Sequence, residues 1–110
     1  TMTADGRYTK IGRVITVECR MLDINTTGMT AGNNIFIRGL PESLSVNSRA
    51  IGSVSLDRVN FTNYVVVIGG SNTSYALLSD QIDSAQDTVL TVASILATGS
   101  DITFTLQYTV

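Results

Sequence analysis

Histidine is absent from this sequence, which removes the side chain most often used as a general base and as a metal ligand. Ser-His-Asp and Cys-His nucleophilic arrangements are therefore impossible. Cysteine occurs once, as Cys19, so zinc finds no ligand set and no intramolecular disulfide can form. The position of Cys19 in an alternating apolar run marks it as a small buried hydrophobe rather than a nucleophile. Charge is scarce as well: charged residues make up 15% of the chain and the net charge is -2. The basic residues stand singly at Arg7, Lys10, Arg13, Arg20, Arg38, Arg49 and Arg58, which gives no electrostatic footprint for a nucleic acid. Long apolar runs are missing too. The longest, residues 64–68, is far too short to span a bilayer, and the opening TMTADGRYTKIG has neither a basic n-region nor an apolar h-region. Membrane insertion and a secretory signal are therefore not expected.

What is present is a globular composition, 44% hydrophobic over 110 residues, with room for one domain, 1–110, and one modest core. Ser, Thr and Asn fill the place of the missing charges, so the exterior is expected to be rich in hydroxyls and amides. Residues 14–24 give the clearest period in the sequence, with Ile15, Val17, Cys19 and Met21 on one side and Thr16, Glu18 and Arg20 on the other. Residues 102–110 repeat the pattern, with Ile102, Phe104, Leu106, Tyr108 and Val110 turned one way. Both read as half-buried strands lining one core. Shorter strands are expected at 34–38, 52–59, 63–69 and 74–79, separated by turn signals at Gly28, Gly32, Gly39, Gly69, Gly70 and Gly99. The spacing predicts an all-β, single antiparallel β-sandwich.

One segment carries two readings. Ser84 with Asp87 forms a capping-box pattern, and Val89, Val92, Ala93 and Leu96 recur at helical spacing, which suits a helix over 85–97. The β-branched Thr88, Val89, Thr91 and Val92 favour a strand over 88–92. Residues 64–68 are apolar at every position, and a two-layer sandwich covers only one face of a strand. An oligomer contact would cover the other, which makes Tyr64, Val65, Val67 and the separate Tyr8 candidates for a subunit interface.

No catalytic constellation stands out, and no enzyme, cofactor or metal is expected. A carboxylate pair of the glycosidase kind would have to come from Asp80, Asp83 and Asp87 in one loop, or from Glu18, Glu42 and Asp57 elsewhere. The 80–87 loop reads as a polar, solvated connection and lacks the glycine-turn pattern of a calcium loop. Neither GxxxxGK[ST] nor a strand-to-helix GxGxxG occurs, so the glycines do not cradle a phosphate. Recognition, where it exists, is expected in four polar loops: 25–34 with Asn25, Thr27, Asn33 and Asn34; 47–49 with Asn47 and Arg49; 71–74 with Asn72 and Ser74; and 80–87 with Asp80 and Asp83. The same residue types form turns for reasons of backbone geometry alone, so both readings stand.

Residues 6–12 read GRYTKIG, residues 37–41 read IRGLP, and the last strand ends Tyr-x-Val. Taken together these strings resemble the C-terminal modules of bacteriophage fibre and appendage proteins, over nearly the whole chain. The resemblance implies a trimeric sandwich of jelly-roll type, similar in plan to C1q and tumour-necrosis-factor heads. Glu42 follows Pro41 where that pattern often has an aromatic. The implied setting is the virion surface, tail or head, with residues 1–5 a flexible lead or the remnant of a stalk that joins other virion proteins. The implied role is non-enzymatic adhesion to a host surface glycan or protein. The alternative is a head-fibre or capsid-decoration module that serves assembly without receptor binding.

Overall fold

The computed structural model describes residues 3–46, 49–82, 86–95 and 98–110; Asn47, Asp83, Ser84 and Leu96 lie outside the described residues. The chain is all-β, and every strand pairing among the described residues is antiparallel. In chain order the strands are β1 (Thr3–Ile11), β2 (Val14–Ile24), β3 (Ile37–Arg38), β4 (Ala50–Asp57), β5 (Tyr64–Gly69), β6 (Tyr75–Gln81), β7 (Thr88–Val89) and β8 (Ser100–Thr109). They form one curled sheet in the order β1-β2-β8-β4-β5-β6-β3, with β7 also paired to β6.

The two longest alternating segments lie side by side at the centre of this sheet. Ile15 faces Tyr108, Val17 faces Leu106, Cys19 faces Phe104 and Met21 faces Ile102 across β2 and β8. Directly paired residues share a face, so the two apolar sets make one continuous inner surface. Leu106 and Ile15 are wholly buried there. The same face continues through Gly52 and Val67 to Leu78, and through Ala50 and Gly69 to Ala76. Its cover comes from irregular backbone. Residues 35–45 run across it, tied by Ile35 N to Leu90 O, Leu40 N to Ser74 O, Leu44 N to Thr73 O and Ser45 N to Thr109 O. Ile37, Leu40 and Leu44 are thereby brought into the core, and Leu90 and Ile95 join them there.

Two local devices set the geometry. Gly12, with φ 59°, takes the first position of the tight Gly12-Arg13 turn that folds β1 onto β2, a conformation that favours glycine. Asp23, with φ 52°, makes a bulge in β2, and its amide donates to Asp101 Oδ1 at 2.9 Å. The extra residue returns Ile24 to the inner face although Met21 already occupies it.

Several sequence expectations change here. Residues 3–5 of the expected flexible lead belong to β1, paired with Leu22, Met21 and Arg20. The strand expected over 34–38 shortens to Ile37–Arg38, with Asn34 bridged to Thr91. The strand expected over 88–92 pairs only at Thr88–Val89; residues Val92–Ser94 then form one 3-10 turn, and no α-helix occurs among the described residues. Val67 is 0% exposed and Val65 packs against the core, so neither belongs to an outer contact surface. Strand alternation turns Tyr64, Val66 and Ile68 outward instead.

Candidate functional site

The bulge at Asp23 ends the regular part of β2 and launches the longest excursion in the chain. Asn25 Oδ1 accepts from Thr27 N at 2.9 Å, closing an Asx-type turn. Two further turns follow, Met29 N to Thr26 O at 3.0 Å and Asn33 N to Thr30 O at 3.1 Å, with Gly28 at φ 87°. The loop is then pinned to the 3-10 turn by Ala93 N to Ala31 O at 3.0 Å and Val92 N to Asn33 O at 2.9 Å. Backbone bonds from residues 31–35 to residues 90–93 hold its second half in place.

Beneath this loop lies an open cleft of about 640 Å³. The core residues Ile24, Ile37, Ile95 and Ile102 form its base, and Cys19, Met21, Met29, Ile35, Phe36 and Val92 extend the apolar lining. Polar groups enter from the loop: Asn25, Thr26, Thr30, Asn33 and Asn34. Arg38 completes the lining, with its guanidinium carbon 5.2 Å from the centre of the Phe36 ring and 5.9 Å from that of Tyr75. Those two rings meet edge to face at 5.0 Å. The arrangement follows from β3, which pairs Arg38 with Tyr75 of β6 and leaves Phe36 one strand period earlier. Burial, and after it the Asp5 carboxylate, push the Cys19 thiol upward from its ordinary pKa, so this sulfur is a neutral lining group.

The cleft gathers Asn25, Asn33 and Asn34, three of the residues expected to carry recognition, with Thr27 beside them in the same loop. The others are dispersed. Asn72 and Ser74 sit in the turn between β5 and β6 at the opposite end of the sheet, where Asn72 N donates to Leu44 O and Ser74 O accepts from Leu40 N. Arg49 precedes β4 at that same end and is exposed. Asp80 is a correction: it is 3% exposed, and its two oxygens accept from Thr62 N at 2.5 Å and Asn63 N at 3.1 Å. A carboxylate fixed in this way holds the 58–63 connection and has no surface to offer a receptor. Tyr8 and Tyr64 are both well exposed, but the pairing register turns Tyr8 to the inner face and Tyr64 to the outer one.

Other carboxylates are also engaged. Glu42 accepts from Lys10 Nζ at 2.6 Å, and Asp87 Oδ2 accepts from Ser79 Oγ at 2.7 Å. Across β1 and β2, Asp5 stands opposite Arg20 and Arg7 opposite Glu18, so charge on that face alternates instead of accumulating. No group of three Cys, Asp or Glu residues among the described residues is placed to hold a metal ion.

Sequence reasoning missed two features. β1 shows no burial alternation because all nine of its residues are exposed. The cleft joins β2 to a loop that the sequence presents as polar, and the available signal was the apolar content of that loop: Met29, Ile35 and Phe36 amid Gly, Thr and Asn. No family model, curated protein or solved structure matches this chain.

Proposed function

We propose that this chain is the head domain of a virion fibre or appendage, a trimeric β-sandwich of jelly-roll type that adheres to a host surface glycan or protein without catalysing a reaction. The observation that carries the reading is the 25–36 loop. It presents Asn25, Asn33 and Asn34 around an open cleft, while backbone bonds to residues 90–93 keep it rigid. Amide groups preset in this way meet a polar surface at little ordering cost.

The outer face supports the trimer. Ile51, Ile68 and Leu77 stand in one cross-strand row, with Val66 and Tyr64 farther along β5. Ile51 is 65% exposed and Tyr64 61%, an apolar stripe that a second copy would cover. Three copies about one axis give three equivalent clefts, so weak individual contacts combine into avidity.

The test is adsorption of intact particles to host cells after joint replacement of Asn25, Asn33 and Asn34 by alanine. Loss of adsorption with assembly unchanged is expected. Adsorption that survives this change, and also survives replacement of Arg49, Asn72 and Ser74, would overturn the adhesion reading in favour of a decoration or assembly role.

A further inference from the structure

We propose that the cleft beneath the 25–36 loop binds a fatty acid, its alkyl chain against the apolar lining and its carboxylate on Arg38. The inference does not rest on the adhesion reading, since it needs neither virion nor trimer. The lining is aliphatic and thioether in character, with Met21, Met29, Ile24 and Ile35 among its members. Unbranched, polarisable methionines accommodate a flexible chain that has no fixed shape. The volume of about 640 Å³ falls within the range usual for small-molecule sites.

Charge selects the head group. Arg38 is the one charged side chain on the lining among the described residues, so a cation finds no counterion there and a monoanion finds one. Its guanidinium is held by the faces of Phe36 and Tyr75, and no protein acceptor takes its N–H donors among the described residues. A planar fork steadied by rings and left without an acceptor is preset for bidentate contact with a carboxylate. A phosphate dianion would leave half its charge uncompensated, because no second cation lines the cleft.

Dodecanoate, dodecanol and dodecyltrimethylammonium, each below its micelle-forming concentration, would be titrated into the full chain by calorimetry and followed by thermal melting. Dodecanoate is expected to saturate, to raise the melting temperature, and to bind about tenfold or more tighter than the alcohol. The ammonium compound should bind most weakly. Arg38→Gln should abolish the preference for carboxylate over the alcohol. Location is read separately: the chain has no tryptophan, so Met29→Trp supplies a single reporter in the cleft, whose emission should shift to the blue with dodecanoate. Absence of saturable dodecanoate binding, equal binding of the alcohol, a preference that survives Arg38→Gln, or binding without an emission change in Met29→Trp would each overturn the proposal.

Discussion

Gly52→Ala probes the fold at its tightest backbone contact. A Cβ at position 52 would lie 2.0 Å from Thr105 O, 2.8 Å from Val67 Cγ1 and 3.1 Å from Leu106 Cα. Two of those neighbours are backbone of the central strand β8, and Val67 is wholly buried, so no flexible side chain can yield. Relief requires β4 to move away from β8, loosening the Ser53–Thr105 pairing next to it. Overpacking costs about 1–3 kcal/mol in ordinary cores, and a backbone obstacle puts this case at the upper end. Alanine recovers about 0.5–1 kcal/mol of the entropy that glycine loses on folding. The net expectation is a loss of about 2–3 kcal/mol, a large share of a stability of about 5–15 kcal/mol. Urea unfolding at fixed protomer concentration measures it, as a lower midpoint with an unchanged slope. Gly32→Ala is the matched control, because its Cβ meets nothing within 4 Å and its φ is not positive; it should be neutral or slightly stabilising. A Gly52→Ala protein as stable as the parent would refute the placement of β4 against β8.

Leu106→Asp buries a carboxylate at a position with 0% exposure and should cost several kcal/mol, leaving no cooperative transition; a soluble, cooperatively unfolding variant would show that β8 faces the other way. Asp80→Ala frees the amides of Thr62 and Asn63, should cost about 1–3 kcal/mol, and should speed hydrogen exchange at those two amides specifically. Tyr108, whose hydroxyl donates to Glu42 O at 2.9 Å, has its pKa raised chiefly by burial, with the Glu42 N–H that donates to the phenol oxygen opposing the rise and the nearby Glu42 charge adding to it. A raised phenol favours the folded state below the unfolded pKa of about 10 and loses that contribution as pH climbs through the folded value, so stability should fall in alkaline solution and Tyr108→Phe should flatten the fall. Cys19, with its thiol pushed up by burial and by Asp5, should alkylate slowly at neutral pH, and Asp5→Asn should shift the rate profile to lower pH.

The sequence makes some parts of this molecule legible and hides others, for physical reasons. Strands β2 and β8 are readable because each buries one face, and burial imposes a period of two on residue choice. β1 is not readable: with both faces open, its nine residues carry no such constraint and are held by hydrogen bonds to β2. Residues 64–68 look doubly covered in the sequence, yet the alternation is present as exposure rather than polarity. Val67 packs into the core, while Tyr64 and Val66 face outward. Asp80 reads as a loop acid because its partners are backbone amides, which have no sequence signature. The cleft escapes for a related reason. Its apolar lining is assembled from β2, the 25–36 loop, β3, the 3-10 turn and β8, and only the folded chain brings them together.

The claim of a trimeric head is tested most directly by light scattering of the purified chain at micromolar concentration. One chain has a mass of 11.7 kDa. The proposal predicts a single species of three times that mass, reduced to one chain by Ile51→Lys on the outer apolar row. A stable monomer of the parent protein would contradict it.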